Sequence, residues 1–159
     1  MNVQEMSIEQ LINQYELSPA ELKTSLVGLS SEQLLATPFP GKWSIQQIVC
    51  HLADAEAGAL QRIRRIVAED HPTIGLWDQD AFATKLYYES TPIQLALDAF
   101  AALRAFNVHL LRRLPEESYL TRSGVHPVRG EWTLRRAFEV YSEHGVKHLE
   151  QIERIKTTF

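Results

Sequence analysis

The stretch "GKWSIQQIVCHLADAE", residues 41–56, decides the fold prediction because it opens a long amphipathic helix that carries a histidine. Ser44 and Gln47 form a capping box, in which each side chain can bond the backbone amide of the other, so we expect the helix to begin at Ser44. Apolar residues then recur at helical spacing as far as Val67, and the helix should end before His71, which precedes a proline. Such a helix buries one face and therefore predicts partner helices.

A similar helix start occurs later in the chain. "GEWT" at 130–133 repeats the pattern of "GKWS" at 41–44, with a glycine, a charged residue, a tryptophan and a hydroxyl N-cap. We therefore predict a helix from Thr133 to about Lys156. The repeated start suggests two helix pairs related by approximate two-fold symmetry.

The first long helix is predicted from Ser7 to about Val27, because Ser7 opens a second capping box. Pro19 lies within this segment. Since proline suits the first turn of a helix, we expect a kink or a restart after Leu17.

The third long helix should begin at Thr91-Pro92 and end near Leu114. Residues 70–90 then form a long connection, and residues 115–132 form a loop. Strand-like alternation is scarce throughout the chain. Four amphipathic helices with these connections predict an all-α fold, an antiparallel four-helix bundle with approximate internal two-fold symmetry.

Composition limits the classes of protein to consider. The chain has 159 residues, which suits one domain spanning residues 1–159. Its net charge of −4 and the lack of a basic block argue against a nucleic-acid partner. Cys50 is the only cysteine, which favours a reducing cytoplasm, and the first ten residues do not resemble a signal peptide. We expect neither a membrane span nor a membrane partner.

Two histidines four residues apart are the first candidate functional residues. In "SEHGVKHLEQ", residues 142–151, His144 and His148 lie on one face of the predicted fourth helix. The H-x3-H pair is a recurrent half-site for zinc or nickel. The alternative is two core histidines bonded to backbone or carboxylate groups. His51, beside the apolar stripe of the second helix, is the best third ligand.

Two polar residues could support such a site. Asp54 lies three residues after His51 and could bond the second nitrogen of that imidazole, or form a salt bridge instead. Asn107 falls inside the apolar stripe of the third helix, so it is either a core amide with satisfied hydrogen bonds or a group that orients a ligand.

The connection at residues 70–90 is aromatic, with Trp77, Phe82 and Tyr88 as the candidate pocket residues. Long connections in compact domains are often functional. These side chains therefore either cap one end of the core or form the wall or lid of a ligand pocket.

The stretches "GKWSIQQIVCHLADAE", "GEWTLRRAFEVYSEHGVKHLEQI" and "SPAELKTSLVGLSSEQL" together resemble the DinB-like proteins, also called YfiT-like metal-dependent hydrolases. The resemblance covers nearly the whole chain. It implies a four-helix bundle that binds a divalent metal, often nickel or zinc, through three histidines and water. Carried over by position, these ligands are His51, His144 and His148.

The resemblance also implies a range of activities and partners. Some members are thiol S-transferases that use a low-molecular-weight thiol such as bacillithiol, mycothiol or glutathione, and many form homodimers. This chain departs from a common form of the family at Gly145, which replaces an acidic residue, and at Lys147, which often is a histidine. Both departures affect the surroundings of the three ligand positions and leave the ligands intact.

Three hypotheses follow for the function. The first is an enzyme, in which the metal lowers the pKa of a coordinated water or thiol to generate a nucleophile for a small-molecule substrate. The enzyme is then either a hydrolase or a thiol transferase, and no catalytic residue beyond the ligands can be assigned. The second hypothesis is a non-catalytic metal- or ligand-binding module. In the third, the metal is a structural link between two helices.

Overall fold

The computed structural model describes residues 2–159, and its core is a bundle of four long helices. The long helices are α1 (Ile8–Ser25), α3 (Ile45–Ala68), α5 (Ile93–Leu111) and α7 (Leu134–Lys156). The shorter elements are α2 (Ser31–Leu35), α4 (Gln79–Lys85), α6 (Ser118–Thr121), two 3-10 turns (Val3–Glu5 and Tyr88–Ser90), and the strands β1 (Ser123–His126) and β2 (Gly130–Thr133). The four-helix bundle is confirmed.

The first and second long helices, α1 and α3, lie diagonally across the bundle, and so do the third and fourth, α5 and α7. Both α1 and α3 pack against α5 and α7, whereas α1 does not pack extensively against α3. The pairs α1–α5 and α3–α7 run antiparallel, and the pairs α1–α7 and α3–α5 run parallel. The contacts Arg135 to Met6 and Gln14 to Ser142 show, for example, that α7 and α1 advance together. This arrangement is compatible with a two-fold axis that exchanges α1 with α5 and α3 with α7.

Local capping explains where the helices start. Ser44 begins α3 with a complete capping box to Gln47, and Ser7 begins α1 in the same way with Gln10. Thr133 caps α7 by accepting the amide of Arg136. The predicted start at Thr91 is wrong by one residue, because the Thr91 hydroxyl bonds the carbonyl of residue 87 and leaves Pro92 at the cap.

The predicted restart of the first helix after Leu17 is wrong. Pro19 lies inside α1, which continues from Ile8 to Ser25. Proline has no amide hydrogen, so the carbonyl of Tyr15, one turn earlier, loses its intrahelical donor. Arg104 of α5 replaces that donor, because its Nη1 lies 3.2 Å from the Tyr15 carbonyl oxygen. A long-range side chain thus compensates for the proline.

The predicted loop at residues 115–132 is also wrong, because it contains α6 and most of an antiparallel hairpin. Strands β1 and β2 pair Ser123 with Thr133 and His126 with Gly130. Val125 also exchanges two backbone hydrogen bonds with the segment after α3, at 2.8 and 2.9 Å. The hairpin therefore anchors the long connection between α3 and α5.

The core contains two apolar clusters with a polar layer between them. One cluster includes Tyr15, Ile63 and Phe138, and the other includes Leu52, Phe100 and Ile152. The residues of the polar layer come from all four long helices, and they are Ser18, Glu56, Arg104, Asn107 and Ser142. Within residues 2–159, no helix is long and apolar enough to cross a membrane.

Candidate metal centre

Three histidines converge between α3 and α7. The Nε2 atoms of His51 and His144 are 3.1 Å apart, and those of His148 and His144 are also 3.1 Å apart. Ligand atoms of all three residues lie within 4.8 Å of one another. The antiparallel packing of α3 against α7 brings the early residue of one helix beside the late pair of the other. The three predicted ligand positions therefore meet at one point.

The geometry and chemistry of this donor set fit a divalent transition metal. Imidazole nitrogens lie about 2.1 Å from zinc. At that distance, a separation of 3.1 Å between nitrogens corresponds to an angle of about 95° at the ion. This angle falls between octahedral and tetrahedral values. Three neutral nitrogens on one side of an ion also leave positions on its other side for water or substrate.

Burial keeps the imidazoles in the neutral form that binds metal. Loss of hydration, reinforced by the neighbouring histidines, lowers the pKa of His51 to about 3 and that of His144 to about 2. The pKa of His148 is lowered by the same burial, which a hydrogen bond from its ring to Gln151 partly opposes. A neutral imidazole offers a lone pair, whereas a protonated one cannot bind an ion.

Among residues 2–159, a hydrogen bond from the second ring nitrogen orients one of the three imidazoles, that of His148. His148 donates from Nδ1 to the Oε1 atom of Gln151 at 3.0 Å, which leaves its Nε2 without a proton. The Nδ1 atom of His51 is buried and has no hydrogen-bond partner within the described residues. His51 is instead held by packing.

Aromatic rings enclose His51. Its ring centroid lies 4.7 Å from that of Trp43 and 5.6 Å from that of Trp77, which is nearly parallel to it. Phe82 packs edge-on against Trp77 at 4.8 Å. Trp77 and Phe82 therefore form a wall of the site, as one of the two alternatives for the connection predicts. Tyr88 is buried and belongs to the apolar cluster that includes Leu52 and Phe100.

Asp54 neither bonds His51 nor forms a salt bridge within residues 2–159, so both alternatives predicted for it are wrong. Its carboxylate accepts a hydrogen bond from the Tyr88 hydroxyl instead. Burial and this bond raise the pKa of Tyr88 well above its usual value. The pair joins α3 to the turn before α5, which makes Asp54 a structural residue.

Asn107 is a core amide, but the first of its two alternatives holds only in part, because its Oδ1 atom is buried without a hydrogen-bond partner among residues 2–159. It is completely buried, and its Nδ2 donates to the Tyr15 hydroxyl at 3.1 Å. Tyr15 in turn donates to Glu56, whose carboxylate accepts from Arg104 at 2.9 and 3.0 Å. Asn107 therefore belongs to the polar layer and makes no hydrogen bond to the three histidines.

The polar layer explains why the residue after His144 is a glycine, Gly145. A Cβ atom at this position would lie 2.8 Å from Ser18 Oγ and 3.1 Å from Arg104 Nη1. No side chain fits there unless Ser18 and Arg104 move. Lys147, the other departure from the family pattern, is exposed and pairs with Glu143 at 2.7 Å. Neither residue disturbs the convergence of the three imidazoles.

Sequence reasoning missed several residues around the centre. Arg104 appears in the sequence as a charge that interrupts an apolar stretch, yet it is 1% exposed. Glu56 is its buried partner, but the two residues are 48 positions apart, so no local pattern in the sequence signals their pairing. Gln151, three residues after His148, could have been found from its helical spacing.

Comparison with known proteins agrees with this geometry. Residues 14–152 match the model of the DinB superfamily. A protein of Oceanobacillus iheyensis named "Putative metal-dependent hydrolase OB0782" is 32% identical over 145 residues, which cover 91% of this chain and 83% of that protein.

Two solved structures share the fold. YfiT from Bacillus subtilis, described as "a probable metal-dependent hydrolase with an unusual four-helix bundle topology", superposes with a TM-score of 0.83 and 27% identity, over 94% of this chain and 89% of YfiT. The colibactin self-resistance protein ClbS, solved in complex with double-stranded DNA, gives a TM-score of 0.71 at 17% identity, over 96% of this chain and 97% of ClbS. The second likeness concerns the fold alone. On the family match and the identity to the Oceanobacillus protein, the chain belongs to the DinB superfamily.

Proposed function

We propose that the chain binds one divalent metal ion through His51, His144 and His148 and acts as a metal-dependent hydrolase on a small molecule. The observation that carries this proposal is the convergence of three neutral Nε2 atoms, with 3.1 Å between neighbours. Nickel and zinc are the ions that we propose, since imidazole suits both. A bound ion supplies a Lewis acid and lowers the pKa of a coordinated water.

The surrounding residues prepare the site for that chemistry. Gln151 accepts a hydrogen bond from His148 Nδ1 and so holds its Nε2 toward the centre. Trp43 and Trp77 cover His51 and exclude water from that side. Substrate therefore has to approach from the side that these rings leave free.

We propose metal-dependent thiol S-transfer as a second candidate activity, because the two carboxylates of α3 near the centre already accept hydrogen bonds. Glu56 is engaged by Arg104 and Tyr15, and the Asp54 carboxylate accepts from Tyr88. Both α3 carboxylates near the centre are thus occupied as hydrogen-bond acceptors and are poorly placed to act as a general base for water. A low-molecular-weight thiol that deprotonates on binding the metal would not need such a base.

Metal analysis tests the common part of both activities. The protein is purified without a histidine tag, and its metal content is measured beside His51→Ala, His148→Ala and the control His109→Ala, which removes an exposed histidine of α5. We expect about one ion per chain in the wild type and the control, and loss of that ion from the other two variants. Folded wild-type protein that takes up neither zinc nor nickel would refute the proposal.

Thermal shifts distinguish the two activities and the non-catalytic alternatives. Metal-loaded and EDTA-treated protein are heated with bacillithiol, mycothiol or glutathione, and with buffer alone. Thiol transfer predicts a rise in melting temperature that requires the metal. Stabilisation by metal without any response to thiols, and without turnover of ester or amide substrates, would favour a structural or binding role.

We also propose a homodimer that forms through the outer face of α5. This face carries the exposed residues Leu95, Ala99, Ala102 and Phe106, with Leu95 63% and Phe106 56% exposed. Their spacing of four, three and four residues is that of a helix seam, and the alanines permit close approach. Sedimentation should give a dimer for the wild type and for Val128→Glu, and a monomer for Leu95→Glu.

A further inference from the structure

A groove of about 240 Å³ opens beside the histidine cluster, between α7 and the segment before α3. It is lined by two apolar and three polar side chains, which are Phe39, Lys42, Gln151, Arg154 and Ile155. Phe39 is half-buried and Ile155 is buried, so the floor is apolar. Lys42 and Arg154 are exposed at its rim. The groove therefore combines a hydrocarbon surface with two cations.

The polar groups of this groove offer donors and no free carboxylate. Neither Lys42 nor Arg154 forms an ion pair with any residue in 2–159, although Glu150 lies one helical turn before Arg154. The Oε1 atom of Gln151 already accepts from His148, and its Nε2 group donates to no protein acceptor within the same residues. A ligand that complements three donors is an anion with acceptor oxygens only.

The groove is continuous with the histidine cluster on both of its walls. Gln151 contacts His148 directly on α7, and Lys42 precedes Trp43, whose ring packs on His51. Along α7, Arg154 lies six residues after His148, which corresponds to about 9 Å of helix rise. This separation along the helix axis is within the length of one small molecule.

We propose that this groove binds the anionic end of the substrate or thiol cofactor, a carboxylate or comparable oxyanion that is displaced by about 9 Å along the helix axis from the group that reaches the histidines. This inference rests on the proposed function, since it assigns the ligand class of that same site. The hydrocarbon part of the ligand lies on Phe39 and Ile155, and the oxyanion accepts from Lys42, Arg154 and Gln151.

Two matched thiols test the proposal on the zinc-loaded protein. The thiol 6-mercaptohexanoate carries a terminal carboxylate, whereas 6-mercaptohexanol carries a neutral hydroxyl on the same chain. Titration calorimetry should show about tenfold tighter binding of the carboxylate, or about threefold for each cation, as expected for exposed charge pairs. Lys42→Met with Arg154→Met should abolish that preference while the zinc content stays unchanged.

The control is Lys147→Met, which removes one positive charge next to His148 from a side chain that points away and pairs with Glu143. It should keep the preference. Equal affinity of the two thiols in the wild type, or an equal loss of preference in the control, would overturn the oxyanion site without affecting the metal proposal.

A second measurement does not depend on the metal. Hexanoate and hexanol are added separately to metal-free protein, and the side-chain amide signal of Gln151 is followed by NMR. Hexanoate should shift this signal, and hexanol should not. If the protein proves unable to bind zinc, the metal proposal fails while this experiment still decides the oxyanion site, and an unchanged signal with hexanoate would refute it.

Discussion

Replacing Arg104 with methionine should destabilise the protein severely, because it leaves the buried carboxylate of Glu56 without a compensating charge. Arg104 and Glu56 have side chains that are each 1% exposed, and both Nε and Nη2 of Arg104 donate to the same Glu56 oxygen. Arg104 also donates to the Ser18 hydroxyl and to the Tyr15 carbonyl that Pro19 leaves without a donor. Methionine preserves most of the volume and removes every one of these hydrogen bonds.

The expected loss can be derived from these contacts. Breaking a buried ion pair by removing one partner costs about 3–5 kcal/mol, because the other charge stays buried without compensation. Small domains have free energies of unfolding of about 5–15 kcal/mol, so this is a large share. With a urea dependence of about 2 kcal/mol per molar, the midpoint should fall by about 2 M. Urea unfolding followed by circular dichroism measures this change.

A double substitution shows whether the stranded charge is the cause. Removing the carboxylate as well, in Glu56→Leu with Arg104→Met, should recover at least about 1 kcal/mol relative to Arg104→Met alone, since apolar replacements of whole pairs are often tolerated. The Tyr15 carbonyl still lacks its donor, so recovery is incomplete. Additive losses in the double variant, or a loss below about 1 kcal/mol for Arg104→Met, would refute this account.

Three further predictions concern the surroundings of the centre. In Gly145→Ala, the new Cβ would lie 2.8 Å from Ser18 Oγ, next to His144. This overpacking should lower the free energy of unfolding by about 1–3 kcal/mol. It should also weaken zinc binding, which competition with a chelator measures. In EDTA, the urea midpoint should fall as the pH drops below about 6.5, because the histidines of the unfolded chain then take up protons. The folded chain does not take them up, since the pKa of His51 is about 3 and that of His144 is about 2. An unchanged midpoint at pH 5 would contradict this prediction. Ser44→Ala should cost about 1 kcal/mol in the same urea assay, since its hydroxyl caps α3, and Ser44→Asp should restore the loss.

The parts of the fold that were predictable from sequence are those with local causes. Ser7, Ser44 and Thr133 cap helices with partners three residues away, so the helix starts are visible in short stretches. The i, i+4 spacing places His144 and His148 on one face for the same reason. His51 depended on the repeated helix start and on the family resemblance, since nothing local connects residue 51 with residue 148.

The errors come from long-range partners. Pro19 reads as a helix break because proline removes a hydrogen bond, and the replacement donor is supplied by Arg104, 85 positions later. Arg104 only interrupts an apolar stretch in the sequence, and nothing local signals its burial, because its partner Glu56 lies on another helix. The spacing of Asp54 and His51 suggests a hydrogen bond between them, but the Asp54 carboxylate accepts from the Tyr88 hydroxyl instead. In each case the deciding contact crosses the bundle.

The direction of the helices explains why the long connection between α3 and α5 forms part of the site. Because α3 and α5 run parallel, the chain has to return along the length of the bundle between Ala68 and Ile93 before α5 can begin. Arg62 of α3 anchors this return by donating to the Gly75 carbonyl at 3.1 Å, and the bonds to Val125 anchor it again. The return then passes the histidine cluster and places Trp77 on His51. In an alternating up-and-down bundle a short turn would suffice at this point, and His51 would lose the cover of Trp77 while keeping that of Trp43. The parallel direction of α3 and α5 is thus the structural cause of the shielding of His51 by Trp77.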